Sequence, residues 1–170
     1  MRIKIIVITF LFFIYIPSIF AGETAKNNCL GASKIDEYIF NAPIFMKGKT
    51  LSEIRNIGKL KREYSEKKQN PHDASLIDTF VTLQFEGLEI YGYLKKQDIL
   101  WPIRIIITEP KWKISNGLDV GTPSLNILKL LGSPTLKTDN KIEYCGETDC
   151  VYFYEDKKII SKIEFHYYLD

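Results

Sequence analysis

Three runs of this chain alternate apolar and polar residues with a period of two, and that alternation restricts it to a fold built on a half-covered antiparallel sheet. Val81, Leu83 and Phe85 share one side of their run, as do Ile103, Ile105 and Ile107, and later Ile163, Phe165 and Tyr167. Successive strand side chains point to opposite faces, so such a run buries one face and leaves the other to solvent. We assign these nine residues to a helix-covered core. The opposite positions form an open face: Thr82, Gln84, Tyr91, Tyr93, Arg104, Tyr152, Tyr154, Lys162, Glu164, His166 and Tyr168.

The helices that cover the core are legible from their ends. Gly48-Lys49-Thr50 leads into Leu51, Ile54 and Ile57 at helical spacing and stops at Gly58. Gly121-Thr122-Pro123 leads into Leu125, Leu128 and Leu131 and stops at Gly132-Ser133-Pro134. Each threonine is placed as an N-cap, Glu53 completes a capping box with Thr50, and Pro123 takes the first helical position, where a missing N–H costs nothing. Two helices of about ten residues are expected. Strands follow each: Lys61–Glu66, Thr79–Phe85, Leu88–Leu94 and Pro102–Thr108 after the first, then Lys141–Cys145, Cys150–Tyr154 and Ile159–Leu169 after the second. Glu86-Gly87 and Glu155-Asp156-Lys157-Lys158 read as turns, and Lys67 to Ala74 as the longest polar interruption.

The expected fold class is therefore α+β, with two helix-plus-antiparallel-meander repeats whose short helices pack on one face of the sheet. The first repeat spans 48–116 and the second 117–170. Residues 22–47 hold a small, polar arm to about residue 34 and a first ordered segment, Ile35 to Phe45.

Residues 1–21 have a different character. Arg2 and Lys4 precede an apolar run from Ile5 to Ile16, Pro17 ends it, and Ala21-Gly22 supplies a cleavage point, which together form the pattern of a secretory signal peptide. Export to a bacterial periplasm or beyond follows. The competing reading is a retained membrane anchor, since Ile3 to Ala21 is just long enough to span a bilayer. No cysteine follows Ala21 directly, so lipidation is not signalled.

Charge and cysteines agree with export. The segment holds two of the 23 basic residues and none of the 21 acidic ones, so the remaining chain is balanced. A balanced chain lacks the basic surplus that binding to phosphates needs, which argues against nucleic acid and against an anionic membrane surface as partners. Cys145 and Cys150 flank a polar turn, Gly146-Glu147-Thr148-Asp149, and a hairpin disulfide is expected there. Two cysteines at this spacing are too few for a metal site. Cys29 is left over.

The segment Gly117-Leu118-Asp119-Val120-Gly121-Thr122, with Leu130-Leu131-Gly132-Ser133-Pro134, Lys141-Ile142-Glu143-Tyr144 and a terminal hairpin, carries a resemblance. It resembles the superfamily that includes the tandem-repeat β-lactamase inhibitor protein and the small lipoprotein of the outer-membrane β-barrel assembly machine. The resemblance covers 117–170 well and 48–110 weakly. It implies a glycine-led turn, a short helix and an antiparallel meander, and a role in binding other proteins, which the inhibitor does with the concave face of its sheets. The motif is structural and carries no chemistry, so no contact residue transfers.

Catalytic patterns are missing. His72 sits in a loop and His166 on a strand with nothing to bring them together, and there is no nucleophile elbow, zinc helix, phosphate-cradling loop or dinucleotide fingerprint. No enzyme activity, cofactor or metal is expected. The tyrosines are the more informative feature. Tyr91, Tyr93, Tyr152, Tyr154 and Tyr168, with Arg104 and His166, fall on the expected open face, and tyrosine suits interfaces because it joins apolar area to a hydrogen-bonding tip. Tyrosines are also good strand formers, and cross-strand aromatic pairs stabilise a sheet without any ligand. The leading expectation is an exported, non-enzymatic module of inhibitor or immunity type whose partner is another protein. The alternatives are an envelope assembly accessory anchored by its N-terminal segment, and a small hydrolase.

Overall fold

A computed structural model of the chain describes residues 31–46, 49–70, 73–95 and 98–168. The signal-peptide reading of 1–21, Cys29 and His72 lie outside them. Among the described residues three short α-helices and eight strands follow in order, with a 3-10 turn (Ser115–Gly117) before the last helix: α1 (Ala32–Asn41), α2 (Leu51–Arg55), β1 (Leu60–Gln69), β2 (Ile77–Phe85), β3 (Leu88–Leu94), β4 (Leu100–Ile107), α3 (Leu125–Leu131), β5 (Leu136–Lys137), β6 (Lys141–Cys145), β7 (Cys150–Asp156) and β8 (Ile159–His166). All eight strands form one antiparallel sheet of order β1-β2-β3-β4-β8-β7-β6-β5, so two meanders meet where β4 pairs with β8. The fold is α+β, as the alternation implied. Among the described residues no helix is long and apolar enough to cross a membrane.

The core lies between the helices and one face of this sheet. Val81, Leu83, Phe85, Ile105, Ile107, Ile163, Phe165 and Tyr167 are buried there, together with Ile90, Val151 and Phe153. Ile103 departs from the expected pattern and is only half-buried. The register explains it: Tyr91 pairs with Arg104 but Gly92 pairs with Pro102, so Ile103 is the extra residue of a bulge that shifts the alternation. Gly92 sits at the point of closest approach, where an added Cβ would collide with the Trp101 carbonyl oxygen.

Helix ends separate what was read from what was missed. Thr50 caps α2 as expected: its hydroxyl accepts from the Glu53 N–H at 3.3 Å, and its own N–H donates to Glu53 Oε2 at 2.8 Å. Glu53 is held below the usual carboxylate range by that backbone bond. The helix is only five residues long, however, and ends before Gly58. Thr122 does not cap α3. Its hydroxyl donates to the Asp119 carbonyl, Ser124 is the N-cap residue, and Pro123 bridges to Ile159. Residues 121–124 are engaged by the first residues of β8 and the turn before it: Gly121 N donates to Ile160 O, Ile160 N to Thr122 O, and Ser124 N to Lys158 O, which delays the helix by two residues and leaves it seven long. The buried positions of α3 are consequently Ile127 and Leu131, while Leu125 is exposed.

The arm assigned to 22–34 already includes a helical start, because α1 begins at Ala32. Ile35, Tyr38, Ile39 and Ala42 are buried at helical spacing, and Pro43 ends the run. This helix is tied to the far hairpin by Asp36, whose carboxylate accepts from the N–H groups of Glu147 at 2.7 Å and Asp149 at 3.1 Å. That hairpin is closed by Cys145 and Cys150, directly opposite in the β6–β7 register with their sulfurs at 2.02 Å. Constraining so small a loop contributes about 2 kcal/mol in the chain-entropy model. At the β7–β8 turn Lys157 and Lys158 both take positive φ, so the reversal occupies two residues rather than the four expected.

Phe165 is fully buried on β8, beside the junction of the two meanders. Phe165→Ala is expected to lower unfolding free energy by about 3–5 kcal/mol in a denaturant titration, the range for truncating a core aromatic; a loss below about 1 kcal/mol would place Phe165 outside the cooperative core.

Candidate functional site: the open face of the sheet

Because the strand registers are continuous, side chains far apart in sequence line up in rows on the face opposite the helices. One row crosses seven strands: Tyr64, Thr82, Tyr91, Arg104, His166, Cys150 and Cys145. The next crosses all eight: Arg62, Gln84, Glu89, Ile106, Glu164, Tyr152, Glu143 and Leu136. Shorter rows hold Lys162, Tyr154 and Lys141 at one side and Glu66, Phe80, Tyr93 and Trp101 at the other. Neighbouring strands lie about 4.8 Å apart, so residues adjacent in a row are in reach of one another.

Six of the seven expected binding residues share this face, but in two groups. Tyr91 and Tyr93 stand over the first meander, where Phe80 stacks on Tyr91 with ring centroids 5.9 Å apart and Lys95 lies 3.6 Å from the centre of the Trp101 ring. Tyr152, Tyr154 and His166 stand over the second, where the Tyr152 and His166 rings meet edge to face at 5.0 Å. Arg104 lies between the groups, opposite both Tyr91 and His166. Tyr168 belongs to neither. It follows β8, donates its N–H to Asp149 Oδ1 at 3.0 Å, and lines an apolar groove of about 370 Å³ with Phe40, Met46 and Pro102.

The groups are bound by polar contacts, some across neighbouring strands and some between second neighbours on one strand. Glu89 accepts from Gln84 Nε2 at 2.9 Å and from Arg104 Nη2 at 3.1 Å. Glu164 accepts from Lys162 Nζ at 3.2 Å and from the Tyr154 hydroxyl at 3.3 Å, and its Oε1 lies 2.8 Å from His166 Nε2. Burial alone would raise the Glu164 pKa, yet the hydrogen bonds from His166 and Lys162 outweigh it and hold the carboxyl below its usual range. Glu164 is thus an acceptor, and His166 Nε2 carries the hydrogen. Lys141 donates to Glu143 at 3.0 Å, which holds the lysine above its usual range, and its ammonium lies 4.9 Å from the Tyr152 ring centre. Burial, followed by the Glu143 charge, pushes the Tyr152 phenol up, so it stays a neutral donor.

Sequence reading missed Phe80, Trp101, Tyr64, Glu89 and Glu143, while Glu164 was placed on the open face without a role. Phe80 and Tyr64 were within reach, since each continues the alternation of its own strand. Trp101 was not, because its side is set by the bulge at Ile103. Lys141 with Glu143, and Lys162 and His166 with Glu164, are second neighbours on one strand, a spacing the alternation displays, whereas the meeting of Glu89 with Gln84 and Arg104 depends on strand pairing and had no local signal. Among the described residues no three His, Cys, Asp or Glu side chains converge as a metal ion would require. Comparison of the chain with family models, with curated proteins and with solved structures finds no match.

The Glu164 contacts give a pH signature. A carboxyl lowered in the folded state stabilises the fold above its unfolded pKa, near 4.3, and that contribution disappears as pH falls through the lower folded value. Glu164→Gln is therefore expected to melt at a lower temperature than the parent near pH 7, with the two curves converging towards pH 3. A difference that stays constant with pH would show that the carboxylate is not held by His166 and Lys162.

Proposed function

We propose that this chain is an exported, non-enzymatic module that binds another protein through the open face of its sheet, as an inhibitor or immunity-type protein does. The observation that carries this reading is the row from Tyr64 to Cys145, flanked by aromatic residues on both meanders and covered by no described element. Tyrosine, tryptophan and arginine are the residues that dominate binding energy where proteins meet. Here they are held by cross-strand contacts, so little side-chain freedom remains to be lost on association. Export is supported by the apolar segment at 5–16 and by a cysteine pair at bonding distance, which suits an oxidising compartment.

The two meanders are read as copies of one helix-plus-meander unit. Supporting this, β1 to β4 and β8 to β5 stand in mirrored order, with α2 preceding one and α3 the other. The same arrangement keeps the resemblance to the inhibitor and assembly-lipoprotein superfamily as a proposal at the level of fold.

Photo-crosslinking tests the binding face directly. With p-benzoylphenylalanine in place of Tyr91 or Tyr152, irradiation in envelope extract is expected to give a discrete protein adduct, absent when the crosslinker replaces Glu37 on the helix side. Equal yields at all three positions, or no adduct at the sheet positions, would remove the open face from consideration.

A further inference from the structure

The two edges of the sheet differ. One ends in β5, two residues long, and the other in β1, which runs for ten residues without a proline and is exposed at every position from Lys61 to Gln69. The bond from the Asn70 N–H to the Leu76 carbonyl sets the phase of the β1–β2 ladder, in which Arg62, Tyr64, Glu66 and Lys68 turn their main-chain groups towards β2. Lys61, Glu63, Ser65 and Lys67 therefore turn theirs outward, where no described strand receives them. A long edge of this kind is a template for another strand.

Charge on an edge strand usually repels a second strand. On β1 the signs are placed so that the strand complements its own copy. In an antiparallel pairing centred on Tyr64, Arg62 stands opposite Glu66 of the second copy and Glu66 opposite its Arg62, all on the open face, and the two exposed Tyr64 rings meet between them. Both charges are open to such a partner. Arg62 has no carboxylate partner among the described residues and reaches only the Tyr64 hydroxyl, while Glu66 takes Lys68 and Tyr91 on Oε1 and leaves Oε2 without a described contact. The outward main-chain groups fall in phase, because Glu63 then pairs with Ser65 of the second copy and Lys61 with its Lys67. The opposition of Lys61 and Lys67 is unfavourable, but it lies at the ends of the pairing and on the other face. Other registers are worse. A centre on Ser65 sets Arg62 against Lys68 and offers Lys67 only Glu63, whose two oxygens already hold Arg55; a centre on Glu63 or Glu66 sets a carboxylate against itself.

We propose that β1 is the docking strand for a second copy of this chain, giving a two-fold dimer whose sheets join antiparallel through β1 with Tyr64 at the axis. The axis passes through the sheet, so both open faces lie on the same side. The row that runs from Tyr64 through Tyr91 and Arg104 to Cys145 then continues, across the Tyr64 pair, into the same row of the second copy. The dimer depends on β1 alone and not on what the open face binds.

Sedimentation velocity of the full chain over a concentration series, together with directed crosslinking, tests this. A monomer–dimer equilibrium is expected. Arg62→Glu and Glu66→Arg, each alone, are expected to weaken it roughly tenfold by setting like charges opposite one another, and the two together to restore it. In a Cys29→Ser background, Tyr64→Cys is expected to oxidise to a covalent dimer, since directly opposed residues at such a position have Cα atoms about 4.5 Å apart, within disulfide reach. Lys68→Cys, which falls opposite Leu60, is expected not to. Ser65→Pro removes only an outward N–H, so it is expected to weaken the dimer and leave the circular dichroism of the monomer unchanged. A monomer throughout the series, a dimer that neither charge reversal weakens, a double variant that fails to restore it, or a crosslink through Ser65→Cys in place of Tyr64→Cys would overturn the proposal.

Discussion

The pairing of β4 with β8 is the interaction on which the rest of this structure depends. Four register pairs, Arg104 with His166, Ile105 with Phe165, Ile106 with Glu164 and Ile107 with Ile163, turn two meanders into one sheet. Beneath the junction, Ile105, Ile107, Ile163 and Phe165 are all fully buried and supply the centre of the core. Above it, Arg104, His166 and Glu164 bring the two aromatic groups into common rows. The Tyr167 N–H extends the ladder by donating to the Ile103 carbonyl, so the residue displaced by the bulge still contributes to the seam. Gly92 permits that bulge, since any larger residue there would press on the Trp101 backbone.

Much of the fold was legible because its determinants are local. Alternation gave the faces of β2, β4, β7 and β8, and the Thr50–Glu53 capping box gave the start of α2, since a period or a cap needs only neighbours in the chain. The cysteine pair was legible for the same reason, with a turn of four residues between the two positions. The failures are places where distant backbone decided the outcome. Thr122 has every local mark of an N-cap, yet residues 121–124 are drawn into pairing with 158–160, and α3 starts at the next available position. Ile103 has the alternation of a core residue, yet the match of β4 to β3 requires an extra residue at that point. The tie between Asp36 and the β6–β7 turn spans more than a hundred residues and left no trace in either segment.

The candidate site shows the same division. Which tyrosines face outward followed from the period of two, whereas their grouping around Arg104 followed from the order of strands in the sheet. Part of the electrostatics is local: Glu164 is lowered by His166 and Lys162, each two residues away on its own strand and therefore on the same face, whereas Glu89 meets Gln84 and Arg104 only because β3 pairs with β2 and β4.

The central claim is that the β4–β8 seam makes the two meanders one cooperative unit. Native-state hydrogen exchange under increasing denaturant tests it most directly. The amides of Ile105, Ile107, Ile163 and Phe165 are expected to exchange only through global unfolding, with the protected amides of β2, β3, β6 and β7 merging into that same transition. Exchange of β5 to β8 as a group, at a free energy well below that of β2 to β4, would contradict the account by showing two units that fold apart.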